Sequence, residues 1–119
     1  MERDKILLVD DDQSITDMLE VALSTKYRVL TENDGLNALE TAREFAPDLI
    51  ILDLLLPGTS GEEIASEIQN DSRLKNTPII FITGMLIKDE EREIAGHPLI
   101  AKPFIFKELF EAIEKNLGN

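Results

Sequence analysis

The sequence predicts an α/β fold, a parallel sheet with helices on both faces, from three observations. Short apolar runs of strand length alternate with segments whose apolar residues recur at helical spacing, in the order βαβαβαβαβα. The run Asp48–Asp53 (DLIILD) is apolar on both faces, as a central parallel strand covered on both sides must be. Isolated polar residues close several of these runs, and a parallel sheet gathers all such strand ends on one edge, where open α/β sheets place their chemistry.

The elements follow in order. Lys5–Val9 (KILLV) is the first strand, closed by Asp10, Asp11 and Asp12. Ile15, Met18, Leu19, Ala22 and Leu23 recur at helical spacing and predict a helix over Gln13–Ser24. Tyr27–Thr31 (YRVLT) is the second strand, and Asn33, Asp34 and Gly35 read as a turn. Leu36, Ala38, Leu39, Ala42 and Phe45 mark the second helix, which Ala46-Pro47 stops before the third strand, Asp48–Asp53. Ser60, with Glu63 three positions on, is a capping box for a third helix carrying Ile64, Ala65 and Ile68. Pro78–Ile82 (PIIFI) is the fourth strand, running into Thr83-Gly84. A polar stretch over Lys88–Ala95 is expected to form a short, irregular fourth helix. Pro98–Ala101 is the fifth strand, and Phe106, Leu109, Phe110, Ile113 and Leu117 mark the last helix.

A chain of 119 residues fits one domain, here residues 1–119, and 43% hydrophobic content supplies a packed core. With no cysteine, neither a disulfide framework nor a thiolate metal site is available. No apolar run approaches the ~20 residues of a membrane span, and the start of the chain lacks the apolar core of a signal peptide. A cytoplasmic protein is expected. A net charge of −12 repels phosphate backbones, so direct nucleic-acid binding is not expected.

Four strand ends carry polar residues: Asp10 and Asp11, Asp53, Thr83, and Lys102. Taken singly, each has a plain structural explanation: a helix cap for the Asp10–Asp12 run, a turn for Thr83-Gly84, a surface position for Lys102. His97, the single histidine, reads as a loop residue. Together, in order at successive strand ends, the four converge. Three carboxylates and one ammonium leave an excess of negative charge that raises at least one pKa. A hard divalent cation relieves it, and oxygen ligands without Cys or His select Mg²⁺. A carboxylate beside Mg²⁺, an ammonium and a hydroxyl is a candidate nucleophile for phosphoryl transfer.

The motifs LLVDDD (7–12), LDLLLPG (52–58), FITG (81–84) and AKPF (101–104) together resemble the receiver domains of two-component response regulators, of the kind found in chemotaxis regulators, over essentially the whole chain. The resemblance implies a flavodoxin-like (βα)5 sandwich with strand order 2-1-3-4-5. It implies Asp53 as phosphoacceptor, Asp10 and Asp11 as the acidic pair that holds Mg²⁺ (Asp11 directly, Asp10 mainly through water) together with Asp53 and the Leu55 main-chain carbonyl, and Thr83 and Lys102 as partners of the phosphoryl group. It also implies a cis bond before Pro103. A sensor histidine kinase or a histidine phosphotransfer protein is the expected donor. A downstream protein or a fused output domain is expected to read the surface of the fourth helix, fifth strand and last helix. The domain is expected to be a monomer or a weak homodimer, and no enzyme beyond its own aspartyl phosphorylation and dephosphorylation. Apolar Leu55 and Met85, two positions after Asp53 and Thr83, imply slow loss of phosphate.

The sequence departs from the family pattern at three places. Leu99 stands where many members carry an inward-swinging aromatic residue. The segment between Thr83 and Lys102 is short and polar. Ile105 stands where a Ser, Thr or Asp usually caps the last helix, and reads as a packing residue, with a partner contact as the alternative. Leu55 lacks the second acid that an aspartate-nucleophile hydrolase uses two residues on, and Asp10–Asp12 would repel the phosphate of a flavin. The remaining rival is a degenerate receiver that binds partners without phosphorylation.

Overall fold

The computed structural model describes residues 2–84 and 93–118. Five parallel strands form the body of a six-stranded sheet: β1 (Lys5–Val9), β2 (Arg28–Glu32), β3 (Leu49–Asp53), β6 (Ile79–Thr83) and β8 (His97–Ala101), in spatial order β2-β1-β3-β6-β8. Counted along the chain, that is the expected 2-1-3-4-5 order of a flavodoxin-like fold. The helices are α1 (Gln13–Leu23), α2 (Ala38–Phe45, entered through a 3-10 turn at Gly35–Asn37), α3 (Gly61–Gln69) and α4 (Phe106–Asn116).

The period-2 alternation of the strands divides the core into two layers. Leu7, Val9, Ile50, Leu52 and Phe81 pack with Ala38, Ala42, Ile64 and Ile68 of α2 and α3. Ile6, Leu8, Ile51, Ile80 and Ile82 pack with Leu19, Leu23, Leu109 and Ile113 of α1 and α4. Every residue of β3 is buried, which is why its sequence shows no polar face. A one-residue slip of β3 would exchange the two layers and drive Asp53 into the core, so its register is firmly specified.

The structure differs from the sequence expectation at several places. The end of the helix expected over Lys88–Ala95 is instead a strand, β7 (Glu93–Ile94), antiparallel to β8 with Ile94 opposite His97. Ala95 and Gly96 both adopt positive φ (52° and 83°), the geometry of a tight two-residue hairpin turn that an α-helix cannot contain. Residues 88–92 of that expected helix lie outside the described residues, as does Met85. His97 accordingly sits in a strand, edge-on to the Phe81 ring and 3.0 Å from the Gln69 side chain. Burial holds its pKa below the ordinary histidine value, against an upward pull from Glu93.

The loop after β3 also carries unexpected order. Leu55–Leu56 (β4) pairs antiparallel with Thr59–Ser60 (β5) around Pro57-Gly58, where Gly58 takes φ +77°. The third helix begins where expected, with the Ser60 hydroxyl accepting the Glu63 amide, while the Glu63 carboxylate accepts from the Thr59 hydroxyl (3.0 Å). The last helix begins at Ile105 without a side-chain cap, also as expected. Ile105 is 65% exposed, so the packing reading of that residue is overturned: its extended backbone turns the side chain outward. Leu99, by contrast, is buried between the sheet and its covering layer.

Candidate functional site

The four polar strand ends meet at the carboxyl edge of the sheet. Asp10 directly follows β1, Asp53 ends β3, Thr83 ends β6, and Lys102 follows β8. Hydrogen bonds extend the ladder to these positions: Asp10 N–H donates to Glu32 O (3.3 Å), and Lys102 N–H donates to Thr83 O (2.7 Å).

The acid run divides its labour. Asp12 caps α1, its carboxylate accepting the amides of Ser14 and Ile15. The hydrogen bond from Ser14 holds the Asp12 pKa below the ordinary range. Asp10 and Asp11 are left for the site, and each offers a carboxylate oxygen with Asp53 such that all three lie within 4.8 Å of one another. Asp10 is 1% and Asp53 6% exposed, while Asp11 faces solvent. Thr83 is fully buried. Leu55 stands at the rim with its side chain exposed and its amide 3.4 Å from Asp53 Oδ1.

Among the described residues, one cation answers this cluster. Lys102 Nζ lies 2.8 Å from Asp10 Oδ2 and 3.5 Å from Asp53 Oδ2. The peptide bond between Lys102 and Pro103 is cis, as expected. Burial lowers the Lys102 pKa, but hydrogen bonding and charge from Asp10 outweigh it, and the net shift is upward. Asp53 is pushed up to about 6 by burial first and then by the Asp10 charge, against the opposing pull of Lys102. Burial thus sets most of the shift, and the Asp10 charge that Lys102 only partly offsets adds to it. Three oxygen donors around that charge fit a hard divalent cation such as Mg²⁺.

Three supporting residues were not singled out from sequence as site residues. A Cβ on Gly61 would lie 2.4 Å from the Asp53 carbonyl oxygen and 3.0 Å from Leu54 Cα, so only glycine lets α3 start this close to the end of β3. The capping pattern around it hid that requirement. Asn33, read as part of a turn, reaches back to Asp10, and Thr16 beneath it gave no signal beyond its place on α1.

Comparison with known proteins agrees with this architecture. The model of the response regulator receiver domain matches residues 6–114. The polar-differentiation response regulator DivK of Brucella anthropi is 33% identical over 96% of this chain and 96% of its own length. The chemotaxis protein CheY4 of Vibrio cholerae superposes with a TM-score of 0.84 at 30% identity, covering 95% of this chain and 98% of that one. The receiver domain of the sensor histidine kinase PA1611 of Pseudomonas aeruginosa, at 28% identity and TM-score 0.82 over 98% of this chain and 99% of that one, was solved with a magnesium ion coordinated in its active-site cleft. A match over residues 6–114 and a relative 33% identical over 96% of this chain, together with the superposed fold, make this chain a member of the response regulator receiver domain family.

Proposed function

We propose that residues 1–119 form one receiver domain that accepts a phosphoryl group on Asp53 from a phosphohistidine of a sensor histidine kinase or histidine phosphotransfer protein. The observation that carries this reading is the convergence of Asp10, Asp11 and Asp53 within 4.8 Å of one another, with the Lys102 ammonium against Asp10 and Asp53. Asp10, Asp11, Asp53 and the Leu55 main-chain carbonyl would hold Mg²⁺, which supplies positive charge against the oxygens of the transferring group.

The chain's own residues do the rest. An ionised Asp53 oxygen attacks phosphorus, the bond from phosphorus to the histidine nitrogen breaks, and that nitrogen leaves with its electron pair. Lys102, already shared between Asp10 and Asp53, pairs with a phosphoryl oxygen. The Thr83 hydroxyl donates to another. Because Lys102 N–H donates to Thr83 O, the two groups approach the product as neighbours on one ladder. The added charge biases the domain toward the state in which these contacts form. The β7–β8 hairpin and α4 are the surface through which a downstream protein or fused output domain would read that state, with apolar Leu55 at the rim slowing hydrolysis.

Intact mass after incubation with Mg²⁺ and acetyl phosphate tests the reading. One phosphoryl increment is expected on the wild type and none on Asp53→Asn, with slow decay of the increment after the donor is removed. An increment that persists in Asp53→Asn would refute the assignment. No increment on a wild type that still binds Mg²⁺ would favour a receiver that only binds its partner.

A further inference from the structure

Asn33 follows β2 in a sequence, Asn33-Asp34-Gly35, that reads as a turn. The turn does not use its side chain. Asp34 accepts the Leu36 amide and so caps the 3-10 segment. The Asn33 side chain instead reaches back across the sheet edge. Its Nδ2 donates one hydrogen to the Asp10 main-chain oxygen (2.8 Å) and the other to Thr16 Oγ1 (3.0 Å). A carbonyl oxygen only accepts, so the amide nitrogen must face Asp10 and its orientation is fixed by chemistry. The Thr16 hydroxyl, 1% exposed, in turn donates to Gln13 O.

The result is a strap. One amide joins the end of β1 to the first turn of α1, spanning the loop that carries Asp10, Asp11 and Asp12. On the other side of the same residue, Glu32 O accepts the Asp10 amide. The Asp10 backbone is therefore held from both its N–H and its C=O by consecutive residues of the β2 end. This matters because the loop presents like charges to Asp53, and their repulsion tends to splay it outward. Hydrogen bonds to the backbone resist that without consuming any carboxylate oxygen.

We propose that Asn33 is a positioning residue for the cation site, fixing the Asp10–Asp11 pair through the Asp10 carbonyl and Thr16 rather than touching the cation. The inference rests on the reading of Asp10, Asp11 and Asp53 as Mg²⁺ ligands. Loss of a group that orients metal ligands weakens affinity by about tenfold or more. The test is titration with Mg²⁺ alone by calorimetry, together with the rate of acetyl phosphate labelling as a function of Mg²⁺ concentration.

For Asn33→Ala the Mg²⁺ dissociation constant and the half-saturating Mg²⁺ concentration should both rise about tenfold, while the labelling rate at saturating Mg²⁺ stays within about twofold of wild type. Thr16→Val should move both in the same direction by less, Thr16→Ser should restore them, and these two variants decide the matter if Asn33→Ala does not fold. Thr41→Val is the control. It removes a hydroxyl bonded to the Glu32 side chain in the same region but touches neither Asp10 nor Asn33, and should leave Mg²⁺ affinity unchanged. An Asn33→Ala variant that binds Mg²⁺ like a Mg²⁺-binding wild type, or a Thr41→Val variant that loses affinity equally, overturns this inference alone. A wild type that takes no Mg²⁺ overturns the underlying reading as well.

Discussion

The Lys102 ammonium is 2.8 Å from an Asp10 carboxylate oxygen, closer than the 3.5 Å that separates it from Asp53. The cation of the site is thus committed first to Asp10. Asp53, at the end of the central strand, is pushed up to about 6 by burial first and then by the Asp10 charge, which the more distant Lys102 only partly offsets. An acid whose pKa is higher folded than unfolded contributes stability below its unfolded value and loses that contribution as pH rises through the folded one.

Without divalent cation, then, the wild type should lose stability relative to Asp53→Asn as pH rises from about 4 to about 7. Lys102→Ala should steepen the loss, by about 1–3 kcal/mol at the upper end, because two buried carboxylates then lack their shared partner. Urea denaturation of the three proteins at several pH values measures this. Parallel curves for wild type and Asp53→Asn would show that Asp53 is an ordinary, well-compensated acid.

Gly61→Ala should cost about 2–3 kcal/mol, since its Cβ meets backbone rather than a yielding side chain. The displaced atoms are the carbonyl of Asp53 and the Cα of Leu54, so Mg²⁺ affinity should fall with stability. An alanine variant with wild-type melting temperature would mean that α3 shifts freely away from the end of β3.

Ile105→Asp should stabilise the chain. The residue already has the extended backbone of an N-cap (φ −95°, ψ 147°), makes no capping hydrogen bond, and is 65% exposed. A capping carboxylate contributes about 1 kcal/mol, or a rise in melting temperature of about 3–6 °C. A lower melting temperature would show that the apolar side chain supports the fold after all.

The parts of this domain that were legible in the sequence are those governed by apolar periodicity. β3 and β6 are continuous apolar runs because both their faces are covered, and the polar residues that end them mark the sheet edge. The role of each acid in Asp10–Asp12 was not legible, since a helix cap and a site ligand draw on the same residue types; only geometry assigns Asp12 to α1. β7 escaped notice because two residues are too few to show a period, and because nothing in the letter Ala95 announces a positive φ. Gly61 and Asn33 escaped for a common reason. Each answers to a backbone oxygen brought close by folding, Asp53 O in one case and Asp10 O in the other. Ile105 misled because an apolar residue is expected to face inward, whereas at this helix start the backbone turns it out.

The hairpin of β7 and β8 has a further consequence, in the order of assembly. Pairings such as Lys5 with Arg28, Ile6 with Leu49 and Ile50 with Ile79 join residues about 20–40 positions apart, and each needs a long loop to close first. Ile94 and His97 meet across a two-residue turn. A sixth strand is thereby added to the sheet at almost no topological cost, and β8 brings a local partner of its own to its docking against β6.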